Sequence, residues 1–252
     1  MMQQDDDIGL SADALAALRE FALERGINVG VESDESDIRK GVQSALEEAK
    51  GPNDESFLFT FGDDIEIRLN GLRRDIGQTL NSTGLTLWRA GDFLSDFMFR
   101  EKHLFAGKRV LEFGSGLGLC GILAAKLGAN VLITDGDDES MPVLIDNCKL
   151  NGLEPATSCK QLLWGTELTP ETKGTYDVLI GADIIYEKTY VAPLFASASH
   201  FLSRAPGHLF LLAYTKRNVS IDYVLDCARA EGFQWTAPTT DEGIYHFTFA
   251  TS

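Results

Sequence analysis

The chain has 252 residues, 44% of them hydrophobic and 24% charged, a composition that excludes disorder and low-complexity scaffolding. Its 38 acidic against 22 basic side chains leave a formal charge of −16, which disfavours the basic footprint that nucleic acid or an anionic membrane surface requires. No apolar run nears the roughly 20 residues that cross a bilayer. The four cysteines form no C-x-x-C pair, and neither they nor the four histidines show metal-ligand spacing. Residues 1–7 are polar and acidic where a secretory signal is basic and then apolar, so reduced thiols and a cytoplasmic or nuclear setting are expected.

In chain order, residues 11–25 carry Leu15, Leu18, Phe21 and Leu23 at helical spacing and stop at Gly26, and residues 36–50 read as a charged helix stopped by Gly51-Pro52. Residues 57–61 and 65–69 flank Gly62-Asp63-Asp64 as a hairpin. A third helix is predicted over 86–100. From Lys108 onward apolar runs alternate with helical patterns: strands at 109–113, 131–134, 159–163, 176–181 and 208–214, helices through 126, over 139–150, 190–202 and 219–230. A closing antiparallel pair is predicted at 233–237 and 243–249. Strands spaced by helices of this length give βαβ units. The expected fold is a doubly wound, seven-stranded, mostly parallel α/β sheet extended by a reversed edge strand. An N-terminal extension (1–80) of helices and hairpin precedes the sheet domain (81–252). Ligands in such sheets bind beyond the carboxyl ends of the strands.

The first strand runs into Glu112-Phe113-Gly114-Ser115-Gly116-Leu117-Gly118, and a helix follows. Glycines there let the backbone turn tightly against a ligand. Asp135 ends the second strand roughly 20 residues on, where an acid can bind ribose hydroxyls. Gly116 to Gly121 also spells G-x-G-x-x-G, which admits a nicotinamide or flavin dinucleotide. Glu112 discriminates: an acid two residues before the first glycine repels a pyrophosphate but pairs with the ammonium of S-adenosylmethionine. Trp164 follows the third strand, where it packs on an adenine or simply fills core. Asp183 and Tyr186, in Gly181-Ala182-Asp183-Ile184-Ile185-Tyr186, stand past the fourth strand, and Trp88 is placed to cover the pocket.

These residues resemble the seven-stranded protein methyltransferases of family 16, the methyltransferase-like 21-related enzymes, from about residue 84 to 249. The resemblance implies a class I, Rossmann-like methyltransferase with S-adenosylmethionine as cofactor and a lysine-bearing protein as substrate. It assigns Trp88, Glu112, Gly114, Ser115, Gly116, Gly118, Asp135, Trp164 and Ala182 to the cofactor, and Asp183 and Tyr186 to the lysine channel, with a monomer as the default state. Two departures stand out: Leu163 replaces the acid common before the tryptophan, and Trp88-Arg89 replaces Trp-Pro. A small-molecule N-methyltransferase and a non-catalytic cofactor-binding module are the alternatives.

Overall fold

The computed structural model describes residues 54–72, 83–154 and 158–250; the helices expected at 11–25 and 36–50 lie outside them. Strands β1 (Asp54–Phe61) and β2 (Ile65–Leu72) form the hairpin, paired antiparallel through the Gly62-Asp63-Asp64 turn. Helix α1 (Arg89–Arg100) follows a short 3-10 turn at Thr83–Leu85. It starts later than its apolar periodicity suggests because Trp88 is extended and the Thr86 hydroxyl bonds the Leu72 carbonyl at 3.0 Å.

Seven further strands, β3 (Arg109–Phe113), β4 (Asn130–Asp135), β5 (Cys159–Gln161), β6 (Val178–Ala182), β7 (Leu209–Tyr214), β8 (Phe233–Thr236) and β9 (Gly243–Phe249), make one sheet in the order β5-β4-β3-β6-β7-β9-β8. The helices between them are α2 (Leu119–Lys126), α3 (Met141–Leu150), α4 (Lys188–Phe201) and α5 (Ile221–Ala230). The inner strands are apolar throughout because both faces are covered. Val110 and Ile180 look toward α1 to α3, while Leu111, Phe113 and Leu179 look toward α4 and α5.

The reversed strand is not at the edge as expected. β9 lies between β7 and β8, antiparallel to both. Tyr245, Phe247 and Phe249 on one face join the α4–α5 core, while His246 on the other meets Phe97 of α1 at 5.3 Å. A strand packed on both faces belongs inside the sheet; the shorter β8 takes the edge. β5 is also shorter than predicted, ending at Gln161, and a turn follows at Trp164-Gly165, where Gly165 takes a φ of +84°.

The hairpin belongs to the same compact unit as the sheet, which begins at Asp54. Ile67 and Leu69 are fully buried against α2 and α3, and two side-chain amides bind its outer edge. Asn147 accepts from Asn70 N–H at 2.8 Å and donates to the Asn70 and Leu117 carbonyls at 3.0 Å each. One turn on, Asn151 accepts from Arg68 N–H at 3.0 Å and donates to its carbonyl at 2.7 Å. Because β3 pairs with β4 on one side and β6 on the other, the topological switch point lies at the carboxyl ends of β3 and β6.

Candidate active site

A cavity of about 680 Å³ opens at that switch point, within the size range of small-molecule sites. Its walls bring together Trp88, Glu112, Gly114, Ser115, Gly116, Asp135, Trp164, Ala182, Asp183 and Tyr186, ten of the eleven residues singled out from the sequence. Gly118 is the exception. Its φ of +92° opens α2, and a Cβ there would lie 2.7 Å from Leu144 Cδ1, so this glycine serves the packing of α2 on α3.

The turn after β3 is held by its neighbours. Ser115 N–H donates to the Thr134 carbonyl at 3.0 Å, and Gly116 N–H donates to Asp135 Oδ2 at 2.7 Å. Asp137 N–H takes the other Asp135 oxygen at 3.0 Å. Asp135 therefore splints the glycine turn to the β4 loop, and burial lifts its carboxyl above its usual range against these donors. At Gly116, with φ +53°, a Cβ would stand 3.2 Å from the Gly84 carbonyl. That explains why Thr83-Gly84 and the glycine turn appear together.

Glu112 is 3% exposed, yet Oε2 has no hydrogen-bond partner. A Cβ at Gly121 would lie 2.3 Å from that oxygen, so the third glycine of the G-x-G-x-x-G run makes room for a carboxyl group. Burial pushes this acid well above the usual carboxylate range. A buried acid that lines a cavity with one oxygen unpartnered suits a cation that favours its charged form.

At the opposite wall Asp183 has φ +59°, a left-handed conformation that Asp tolerates at a cost of about 1 kcal/mol. The turn aims its carboxylate at the start of α1, where Ala90 N–H reaches Oδ2 at 3.4 Å. Thr215 Oγ1 and Arg217, from the loop after β7, also bind it. Arg217 stacks on the Trp88 ring at 4.3 Å. Tyr190 of α4 connects Trp164 (6.3 Å) and Tyr186 (5.9 Å) into an aromatic rim. Burial, and then nearby negative charge, push the Tyr186 hydroxyl up, so it stays a neutral donor.

Thr215 and Arg217 escaped the sequence reading, which took site residues from the ends of the first four sheet strands and from Trp88 before them. They stand directly past the fifth, β7, whose carboxyl end was equally entitled to attention.

The fold and this cavity define a Rossmann-like α/β protein of the seven-stranded class, with a ligand site at the switch point. The lysine methyltransferase family model matches residues 74–226, and the chain belongs to that family. It is 33% identical over 155 residues to protein-lysine N-methyltransferase EFM3 of Chaetomium thermophilum, covering 58% of this chain and 46% of that one. It is 42% identical over 112 residues to protein N-lysine methyltransferase METTL21A of Danio rerio, covering 43% and 51%. Histone-arginine methyltransferase METTL23 of Xenopus laevis is 30% identical over 160 residues, covering 58% and 64%. The chain thus spans about half the length of the first two relatives. Among solved structures, the T. thermophilus 16S rRNA methyltransferase RsmC, in complex with AdoMet and guanosine, shares the fold with a TM-score of 0.55 and 16% identity, over 79% of this chain and 52% of that one.

Proposed function

We propose that this protein is an S-adenosylmethionine-dependent methyltransferase acting on a lysine side chain of a protein substrate. The observation that carries the reading is Glu112: a buried acid that lines the cavity beside Gly114, Ser115 and Gly116, with one oxygen that has no hydrogen-bond partner, answers the ammonium of that cofactor's amino-acid tail. The cradle fits too. Gly114 and Gly116 line the cavity, and the fold leaves little room for a side chain at either, since an added Cβ would collide with Ile184 Cγ2 (2.6 Å) or crowd the Gly84 carbonyl (3.2 Å).

When bound, S-adenosylmethionine supplies the sulfonium methyl that a neutral amine attacks in line. The protein's part is placement. Glu112 takes the cofactor's ammonium, Asp135 its ribose hydroxyls, and Trp164 the adenine face. Asp183 orients the acceptor nitrogen by a charge-assisted hydrogen bond, and the neutral Tyr186 hydroxyl shapes the channel. The acceptor's proton leaves to solvent through the open rim. Alignment of two bound reactants is worth several kcal/mol of barrier.

The test is to incubate the protein with methyl-labelled S-adenosylmethionine and a cell extract, then map the label by mass spectrometry. A labelled lysine in a protein supports the reading. Label confined to metabolites or to arginine overturns the assigned acceptor. Gly116→Arg is expected to remove cofactor binding by calorimetry, whereas Asp183→Ala abolishes transfer with cofactor affinity nearly unchanged. A chain that takes up neither S-adenosylmethionine nor its demethylated product overturns the whole reading.

A further inference from the structure

Asp183 is the group that the methyl acceptor has to meet, yet its carboxylate already holds a cation. Arg217 grips it with two prongs, Nη2 3.0 Å from Oδ2 and Nε 3.2 Å from Oδ1. The guanidinium also lies over the Trp88 ring, where a planar cation is held by dispersion and by the ring's quadrupole. Its loop is braced at both sides: the Tyr214 hydroxyl donates to the Val219 carbonyl at 2.7 Å, and Lys216 N–H donates to Glu242 Oε1 at 2.9 Å. The Asp183 side chain is 3% exposed. An ion pair this sheltered and this well braced is a built feature, unlike a floppy surface pair.

The cavity's charge is lopsided. Glu112, Asp135, Asp137 and Asp183 line it, and Arg217 is the one Lys or Arg among its described lining residues. That single cation is bonded to the carboxylate assigned to the acceptor.

The chemistry of the acceptor gives this arrangement a purpose. A free lysine has a pKa of about 10.4 and is an ammonium near neutrality. A lone buried carboxylate would stabilise that ammonium and hold its proton, although only the neutral amine has an electron pair to offer the methyl group. A carboxylate whose charge is already balanced still accepts a hydrogen bond from an amine N–H. Oδ1 takes the Thr215 hydroxyl and Arg217 Nε, whereas Oδ2 takes Arg217 Nη2 at 3.0 Å and only a long Ala90 N–H contact at 3.4 Å, so Oδ2 has the room for a further donor.

We propose that Arg217 is a charge-balancing, positioning residue of the acceptor site, which neutralises Asp183 so that the carboxylate orients the incoming nitrogen without trapping it as an ammonium. The proposal rests on the methyl-transfer reading above. Other titratable groups surround this corner: Tyr186 and Glu187 past β6, Tyr190 on α4 and Cys120 on α2. Arg89 and Asp92 lie at the start of α1, and Lys216 and Glu242 beside Arg217 itself. Among the described residues, Arg217 is the only ionisable one bonded to the Asp183 carboxylate.

The experiment compares the wild-type chain with Arg217→Gln and Arg217→Lys, using as acceptor the protein labelled from extract. Rates are measured from about pH 6 to about pH 10, with cofactor affinity read separately by calorimetry. With the positive charge gone, the ammonium form of the bound acceptor gains stability. In Arg217→Gln the rising limb of the kcat profile is then expected to move up by about one pH unit. This lowers kcat about tenfold near pH 7, with recovery at high pH and a lower KM. Arg217→Lys keeps the wild-type limb, and all three proteins bind S-adenosylmethionine within about twofold of one another. Equal loss of kcat by Arg217→Gln at every pH overturns the proposal by giving Arg217 a merely structural role. A gain at every pH overturns it by making Arg217 a plug. If the wild type binds cofactor but labels no protein, the methyl-transfer reading itself fails and this inference fails with it.

Discussion

Glu112 near the end of β3 and Asp183 just past β6 stand at the carboxyl ends of two paired strands at the switch point, and the fold treats these acids in opposite ways. Asp183 is given donors and a counter-ion, while Glu112 is sealed in with one oxygen unanswered. The difference predicts opposite results for neutral isosteres. Burial pushes the Glu112 carboxyl well above its usual range, so Glu112→Gln removes an acid whose charged form the fold disfavours and is expected to leave folding stability unchanged or slightly higher. The same change removes the carboxylate for the cofactor's ammonium and is expected to weaken S-adenosylmethionine binding tenfold or more, about 1.4 kcal/mol or above. Calorimetry of binding and a thermal melt of the same sample check both halves. Gly121→Ala is expected to phenocopy the binding loss, since its methyl group would press on Glu112 Oε2.

Among the elements, the β1–β2 hairpin shows how tertiary contacts recruit a segment that sequence assigns elsewhere. Its strand pattern is plain in the alternation around Gly62-Asp63-Asp64, but nothing local says that β2 docks on α3. The decision rests with Asn147 and Asn151, one helical turn apart, whose amides imitate a neighbouring strand for the edge of β2. Asn147 is fully buried and also holds the Leu117 carbonyl of the glycine turn, so the hairpin and the site share one fastening. Asn147→Ala strands one N–H and two carbonyls, and is expected to cost about 2–4 kcal/mol, lowering Tm by roughly 5–15 °C. Asn151→Ala, at a half-buried position, should cost less. Differential scanning calorimetry compares the two, and equal small losses would remove the asparagine fastening from the account.

For the whole molecule, the buried acids set how stability responds to pH. Glu112 and Asp135 are both shifted upward by burial, so the native state holds protons that the unfolded chain has already released. Stability contributed by each is complete below its unfolded value and is lost as pH rises from there toward the folded value, by up to about 1.4 kcal/mol per pH unit for each proton. Asp177, held low by the Arg109 guanidinium, acts with the opposite sign at more acidic pH. The cofactor-free protein is therefore expected to lose Tm as pH climbs above the ordinary carboxylate range. Glu112→Gln should flatten that slope, and saturating S-adenosylmethionine should reduce it by giving Glu112 its counter-ion. Melts across pH, with and without cofactor, read the three slopes directly.

The sequence by itself determined the order and type of the described elements, because each depends on local periodicity: apolar strand runs buried on both faces, helices closed by glycine, glycines where the chain must turn. It also pointed to the glycine turn, Glu112, Asp135 and the Asp183–Tyr186 pair, which the structure brings to one cavity, since the ends of parallel strands are where ligand groups collect. Only the tertiary structure decided that β9 lies inside the sheet, that the hairpin rides on α3 and that Arg217 sits on Asp183. Each of these joins residues far apart in the chain through packing or hydrogen bonds, which leave no period in the residues between them.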